Sequence, residues 1–272
     1  INVNKPYLIG DSMRIGVLDS LPVYGVYFGI VLLILFSFEV GYQISRQARK
    51  RYNKDMPSTL GPMVAGLLSM LAFILAFTFS IAATQYENRK QMVLDEANAI
   101  GTAYLRADLV DAHHKTEIKS LLRDYVNARL RAIDSNKFET EMDISTELHI
   151  LLWAEASSAA ELAPNTNTSL LVQSINDVID MHQNRLTAAV RNRITGSIWL
   201  TLLTISALTM VTVGFQAGYS LSRRLIAVIP LALAFAALTA VIADLDHPQK
   251  GLIKVGQQAM ISLQSSMNRD YK

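Results

Sequence analysis

The sequence contains four long apolar runs separated by polar stretches. They cover about residues 23–45, 61–84, 196–218 and 225–243. A helix of roughly 20 apolar residues crosses a hydrocarbon core about 30 Å thick, so each run is long enough or nearly long enough. No stretch alternates with period two for long enough to suggest a sheet. The pattern predicts an all-α integral membrane protein with four transmembrane helices.

The second apolar run differs from the others because the sequence turns polar without a helix breaker. Residues 85–109 contain no proline and one glycine, Gly101. We therefore predict one continuous helix from Gly61 to about Leu109, roughly 70 Å long at 1.5 Å per residue, with an apolar first half and a polar second half.

One face of that helix carries small, hydroxylic and phenyl side chains. At 100° per residue, eight positions lie within about 40° of the same direction: Gly66, Ser69, Phe73, Phe77, Ser80, Thr84, Glu87 and Gln91. Small residues let a neighbouring helix approach closely, and periodicity alone favours this packing interpretation. Alternatively, several copies turn this face toward a shared axis, where Phe73 and Phe77 form a hydrophobic constriction.

Residues 85–195, between the second and third runs, predict a helical extramembrane domain. Amphipathic helices are expected at 111–135, 145–163 and 168–193, with Tyr125 and His182 on their apolar stripes. Glu96 and Asn98 lie among apolar neighbours, so we predict structural polar contacts there, and Gln216 of the third run needs a partner across a helix interface. The remaining divisions are 1–22 (N-terminal lead-in), 23–84 (helices 1 and 2), 196–243 (helices 3 and 4) and 244–272 (C-terminal segment).

Charge patterning indicates the orientation in the membrane. The loop RQARKRYNK after the first run is rich in Lys and Arg, and short basic loops stay in the cytoplasm. The predicted location is thus the inner (plasma) membrane, as a multi-pass protein with the 85–195 domain on the periplasmic or extracytoplasmic side.

Composition limits the chemistry. Hydrophobic residues make up 51% and charged residues 18%, with a net charge of +2, so no affinity for nucleic acid is indicated. The chain has no cysteine and no recognisable nucleotide-binding or hydrolase motif, so we predict a non-enzyme without a cofactor. Asp244 and Asp246, beside His247, could bind a cation. Pro248 and Gly251 favour the alternative, a turn capped by these side chains.

Several segments resemble one family. The string FILAFTFSIAATQY (73–86) is similar to the second membrane helix of the bestrophins, in which phenyl rings four residues apart form a neck. The segments LDEANAIGTAYLRADL (94–109), SINDVIDMHQNRL (174–186) and IADLDHPQKG (242–251) resemble the bacterial bestrophin-like domain membrane proteins. Ser69 departs from the pattern, because bestrophins usually place a third apolar neck residue there.

The resemblance implies a homo-oligomer of about five copies, embedded in membrane lipid, that conducts inorganic ions, with anions as the expected ions. Phe73 and Phe77 would form the neck, Ser80, Thr84 and Gln91 would offer dipoles to the pore, and Glu87 would place acidic charge at its mouth. Bestrophins carry the following domain in the cytosol, contrary to the charge pattern, which we follow here. The competing hypothesis is a non-conducting scaffold or sensor, in which Gly66, Ser69 and Ser80 pack against another span of the same subunit.

Overall fold

A computed structural model describes residues 22–52, 60–133, 138–190, 194–219, 225–247 and 251–270. In these ranges the chain forms α-helices, one short 3-10 helix and no strand, which confirms the all-α prediction. The helices are α1 Val23–Tyr52, α2 Leu60–Arg106, α3 Ala112–Arg131, α4 Phe138–Leu162, α5 Thr166–Val190, α6 Gly196–Tyr219, α7 Leu225–Asp246 and α8 Gln258–Asp270, with the 3-10 turn at Ala107–Leu109. Residues 1–21 of the predicted lead-in and the last two residues of the basic segment RQARKRYNK lie outside the described residues.

Among the described residues, four helices are long and apolar enough to cross a membrane: α1, α2, α6 and α7. The helix predicted from Gly61 to about Leu109 is continuous over 47 residues, Leu60–Arg106. Its polar half stays helical because it is rich in Ala, Glu, Gln, Lys and Arg, which favour helix, and lacks proline. α4 begins at Phe138, seven residues before the predicted start at Ser145. α5 begins at Thr166 and is capped by Asn165, whose side chain accepts hydrogen bonds from the backbone N–H groups of Asn167 and Thr168.

The chain divides into two compact units. The first, here called the apolar unit, comprises residues 1–85 and 193–253; the second, the polar unit, comprises residues 86–192 and 254–272. Residues of α2 belong to both units, Leu60–Gln85 to the first and Tyr86–Arg106 to the second.

Glycines bring α1 and α6 together in the apolar unit. A Cβ on Gly214 would overlap the carbonyl oxygen of Phe38, and one on Gly41 would overlap that of Val211. A Cβ on Gly218, one turn further along α6, would also overlap α1, at the carbonyl oxygen of Tyr42 and the Cβ of Ser45. Backbones in lipid associate through such small residues spaced by four, because dispersion contacts replace the missing hydrophobic effect. At the basic end, Arg49 Nη1 donates to the carbonyl oxygen of Tyr219 at 2.6 Å.

The polar unit has a hydrophobic core of its own. Ile100 and Ala103 of α2, Ile118, Leu122 and Val126 of α3, Leu152 and Ala156 of α4, Leu171 and Ile175 of α5, and Met260 and Met267 of α8 are buried in it. The C-terminal helix α8 is also held by polar contacts, because Lys119 Nζ of α3 pairs with Asp270 at 3.0 Å and with Asp108 at 2.8 Å. α8 therefore belongs to the same unit as α3–α5, although a long stretch of sequence separates them.

Candidate functional site

The face of α2 that carries small, hydroxylic and phenyl residues is exposed in the apolar unit. Phe73 and Phe77 are 72% and 62% exposed, and a Cβ built on Gly66 would have no described atom within 4 Å apart from the neighbouring backbone of its own helix. Ser69, Ser80 and Thr84 are exposed on the same side. On the opposite side, four residues at helical spacing are buried: Leu71, Leu75, Thr78 and Ala82. The predicted neck residues therefore share one uncovered face of the protomer.

The exposed hydroxyl of Ser69 is satisfied by its own helix. Its Oγ donates to the carbonyl oxygen of Ala65 at 2.9 Å, a bond between residues i and i−4 that Ser and Thr often make in membranes. Ser69 therefore needs no neighbouring helix for its hydrogen bond, and its position is compatible with either water or lipid.

Exposed positions at the same spacing continue along α2 in the polar unit. They are Glu87, Gln91, Leu94, Asn98, Thr102 and Leu105. Glu87 lies 3.6 Å from Lys90, and Gln91 Nε2 donates to Asp95 Oδ1 at 2.9 Å, so two carboxylates lie on or beside this face. Asn98 is exposed within the protomer, so a polar contact from Asn98 to another subunit stays a prediction. We call this row of exposed residues the α2 stripe; it comprises Gly66, Ser69, Phe73, Phe77, Ser80, Thr84, Glu87, Gln91, Leu94, Asn98, Thr102 and Leu105.

Glu96, on the other side of α2, is fully buried in the polar unit. Its Oε1 accepts a hydrogen bond from Tyr125 Oη at 2.7 Å and lies 3.0 Å from Arg129 Nε. Its Oε2 pairs with Arg185 Nη1. Glu96 of α2 is thus tied to α3 by two residues and to α5 by a third. Because a buried carboxylate without partners would be costly, these pairs are what make its burial possible.

Two histidines complete this buried network. His182 Nδ1 lies 3.1 Å from Tyr125 Oη. Since the tyrosine hydroxyl has one hydrogen and gives it to Glu96, Nδ1 of His182 must carry the proton that it donates to Tyr125. The ring of His149 lies 4.7 Å from the His182 ring and 4.8 Å from the Tyr125 ring, between centroids. His149 Nε2 is buried and has no hydrogen-bond partner among the described groups.

Burial keeps both histidines neutral. Burial, opposed by Glu96 and reinforced by Arg129, lowers the pKa of His149 to about 4. Burial, reinforced mainly by Arg129 and His149, lowers the pKa of His182 to about 3. Burial and the charge of Glu96 raise the pKa of Tyr125 well above its ordinary value. At neutral pH the network therefore holds one carboxylate, two guanidinium groups and three neutral rings.

Part of this network was missing from the sequence-based prediction. Glu96 was predicted to make a structural polar contact, and Tyr125 and His182 were placed on apolar stripes, but Arg129, Arg185 and His149 were not predicted. The signal was present, because Arg129 follows Tyr125 by four residues and Arg185 follows His182 by three, which places each on the same helical face.

Asp111, His114 and Ser158 form a second hydrogen-bonded row in the polar unit. His114 Nδ1 lies 2.7 Å from Asp111 Oδ2, and Nε2 lies 3.2 Å from Ser158 Oγ. Serine hydrolases share this order of groups but also present donors to an oxyanion. Ser158 lies inside α4, where backbone N–H groups are used by the helix, and Asp111 caps the start of α3 by accepting from the N–H groups of His113 and His114. The row links α3 to α4.

The carboxylates of Asp244 and Asp246 accept hydrogen bonds from the backbone at the end of α7. Asp244 accepts from the N–H groups of Leu252 and Ile253 at 2.7 and 2.9 Å, and Asp246 Oδ1 accepts from the N–H of Ile194 at 2.8 Å. These are the bonds of the capping alternative, and no cluster of three or more His, Cys, Asp or Glu that could bind a metal occurs among the described residues. A cation at this pair stays a prediction.

Gln216, predicted to need a partner across a helix interface, is half-buried on α6. Its Nε2 lies 3.7 Å from the position of a Cβ on Gly61 of α2. The side chain therefore lies against the first turn of α2 within the apolar unit, where the lack of a side chain on Gly61 leaves room for its amide.

Comparison with protein families matches residues 31–260 to the Bestrophin-like domain. Comparison with curated protein sequences finds no match. Among solved structures, a bacterial bestrophin homologue from Klebsiella pneumoniae with a leucine-to-threonine substitution is similar, with a TM-score of 0.62 and 14% identity over 91% of this chain and 98% of that one. The same homologue with an aspartate-to-alanine substitution gives 0.57 and 11% over 91% and 98%. A structure described as a membrane protein with a proline-to-alanine substitution gives 0.58 and 13% over 89% and 95%. At these identities the structures share the fold.

Proposed function

Because the chain belongs to the bestrophin-like family, we propose that several copies assemble in the membrane into an ion channel whose pore is lined by α2. The observation that carries this proposal is the exposure of the α2 stripe. A single protomer buries Leu71 and Leu75 on one side of α2 and leaves Phe73 and Phe77 uncovered on the other. Copies arranged around an axis, about five by analogy with the bestrophins, would place these rings at the centre.

In this mechanism the phenyl rings form the narrowest part of the pore. Rings of Phe73 and Phe77, one turn apart, make a hydrophobic neck that excludes hydrated ions until it widens and becomes wet. Ser69, where a third apolar ring would complete a bestrophin-type neck, makes that level wider or wetter. Ser80, Thr84 and Gln91 present hydroxyl and amide dipoles beyond the neck.

The bestrophin analogy and the local charges point to different ions. The analogy favours inorganic anions. Glu87 lies on the stripe and Asp95 lies beside it, hydrogen-bonded to Gln91, and acidic rings favour cations. Lys90 compensates Glu87 only in part, because both side chains are well exposed at 3.6 Å and such pairs are weak. Cation conduction is therefore the second candidate, and the reversal potential in an ion gradient decides between the two.

Ion flux from proteoliposomes tests the pore. The double variant Phe73→Ala/Phe77→Ala should raise flux at least about tenfold, because the neck loses the surface that keeps it dry. The matched control is Phe28→Ala/Phe36→Ala, which removes two equally exposed rings from α1 and should leave flux within about twofold. Equal flux from wild type and the α2 double variant would refute the neck.

The oligomeric mass in detergent separates the channel from the non-conducting scaffold or sensor. That hypothesis expected Gly66, Ser69 and Ser80 to pack against another span of the same subunit, whereas these residues are exposed in the protomer. A ring of several copies supports the channel. A monomer or dimer without flux leaves the scaffold or sensor, with the polar unit as its binding domain.

The proposed location is the inner membrane, with the helices between the second and third spans on the periplasmic side. The support is the positive charge of residues 46–54, most of which form the last turns of α1. Because the chain has no cysteine, Glu147→Cys on the exposed side of α4 gives a single label site. Labelling by an impermeant thiol reagent in intact cells without their outer membrane supports this orientation, and labelling only after lysis reverses it.

A further inference from the structure

The buried network of the polar unit joins four helices around two neutral histidines. The network draws its groups from four helices: Glu96 from α2, Tyr125 and Arg129 from α3, His149 from α4, and His182 and Arg185 from α5. The direct contacts run from His182 through Tyr125 to Glu96, at 3.1 and 2.7 Å. The proposed pore mechanism makes no use of any of these groups.

The charge of the network is already unbalanced toward positive. Glu96 supplies one negative charge, while Arg129 and Arg185 supply two positive charges at its two oxygens. A proton on His149 or His182 would add a further positive charge beside two guanidinium groups in a buried site. His149 Nε2 has no hydrogen-bond partner among the described groups, so a proton on this nitrogen would have no acceptor.

We propose that this network is a proton-operated lock that holds Glu96, and with it α2, against α3 and α5. In the locked state both histidines are neutral, and their rings lie in tilted contact with the ring of Tyr125. Protonation favours a released state, in which the histidines are hydrated and Glu96 no longer bridges Arg129 and Arg185. The effect of release on ion flux rests on the proposed channel, since α2 is the helix that carries Phe73 and Phe77. The lock itself does not.

The direction of the pH effect follows from comparing the pKa of each histidine in the locked state, about 4 for His149 and about 3 for His182, with the ordinary histidine pKa expected in the released state. Above a pH of about 6.5, the ordinary value for histidine, the rings are neutral in both states and the lock is at full strength. As the pH falls from there toward the locked-state values, the released state binds protons that the locked state excludes. Each histidine then favours release by about tenfold per pH unit.

Hydrogen exchange of the full-length protein in proteoliposomes tests the lock without reference to conduction. After correction for the intrinsic pH dependence of exchange, amides of α3, α4 and α5 should open at least tenfold more at pH 5.0 than at pH 7.5. The upper limit is about 1000-fold, for two histidines over about 1.5 pH units. In the variant His149→Phe/His182→Asn, the phenyl ring keeps the contact with the Tyr125 ring and the asparagine amide can replace the Nδ1 donor, so the response should fall below about threefold.

His113→Gln is the matched control, because His113 is exposed at the start of α3 and should leave the wild-type response unchanged. If the double variant lacks protection even at pH 7.5, His149→Phe alone decides, since removing one of two proton-binding groups should halve the logarithmic pH response. A flat wild-type response, or a double variant that responds like wild type, overturns the lock. Flux measured on the same liposomes separates the two proposals: absence of flux at every pH refutes the channel, while the exchange result still decides the lock.

Discussion

The exposed face of α1 and the α2 stripe are equally uncovered in the apolar unit and differ in chemistry. Phe28 and Phe36 on α1 are 62% and 70% exposed, close to the values for Phe73 and Phe77. On α1 these rings alternate with other large apolar groups, Tyr24 and Leu32, at four-residue spacing. On α2 the rings lie among small and hydroxylic residues: Gly66, Ser69, Ser80 and Thr84.

The exposed fraction of a side chain in one protomer therefore does not identify the medium around it, whereas the size and polarity of the neighbouring side chains do. Lipid favours large apolar side chains at exposed positions, as at Tyr24, Phe28, Leu32 and Phe36 of α1. A shared pore axis requires narrow side chains where water must pass and rings only where it must not. The α2 stripe has the second composition.

The largest effect is expected at Glu96, because it lies on the side of α2 opposite the stripe and binds that side to α3 and α5. Glu96→Gln leaves Arg129 and Arg185 without a counter-charge in a buried site, which should lower the free energy of unfolding of the polar unit by about 3–5 kcal/mol. Denaturant unfolding followed by circular dichroism measures this loss. Asp95→Asn, the neighbouring and more exposed carboxylate, is the control and should change stability by less than about 1 kcal/mol. Equal losses for both variants would show that burial of Glu96 does not fix α2.

Lysine substitution gives the second test of the difference between α1 and the α2 stripe, because a charged side chain is tolerated in water and not in lipid. Leu32→Lys places an ammonium near the middle of the lipid-facing side of α1 and should weaken membrane insertion by about 2.5–3.5 kcal/mol. Ser69→Lys, at similar depth on the α2 stripe, should have less than half that effect, because pore water would solvate it. The yield of inserted protein measures both. A larger penalty for Ser69→Lys than for Leu32→Lys would indicate that the stripe faces lipid.

Thiol labelling tests the same contrast in the assembled protein, in which no native cysteine interferes. Ser80→Cys should react with a small charged thiol reagent, because the thiolate forms only where water is present. Leu32→Cys should react more slowly by about 100-fold, since lipid keeps the thiol protonated and the reagent away. The two rates are measured on the same proteoliposomes, and equal slow rates would contradict a wet stripe.

The sequence allowed the fold and the stripe to be predicted because both depend on local periodicity. Apolar runs of membrane-spanning length gave four helices, the absence of proline gave a continuous α2, and 100° per residue gathered Phe73 and Phe77 on one face. The packing partner of each face depends on other helices. That is why the sequence could not decide whether the stripe was covered by the chain's own spans.

The buried network was only partly predictable for the same reason. Glu96 was conspicuous on its own helix, but its partners come from α3 and α5, and nothing in the local pattern pairs Arg185 with Glu96, 89 positions away. The close approach of α1 to α6 was missed as well, although Gly214 and Gly218 have the spacing of a helix-packing motif. Both omissions are contacts between segments distant in sequence.

The smallest expected effect concerns which ion the stripe admits. A unit charge in water about 8 Å from a permeating ion contributes about 0.5 kcal/mol, which changes relative permeability roughly twofold for each copy of Glu87. Glu87→Gln should therefore shift the reversal potential in a salt gradient toward anions by an amount that grows as salt is lowered, because screening weakens. Glu147→Gln removes the same charge from the exposed side of α4 and should leave the potential unchanged. If both variants leave the reversal potential unchanged, Glu87 does not face the ion path. The stripe at the level of Glu87 would then take no part in conduction, like the exposed rings of α1.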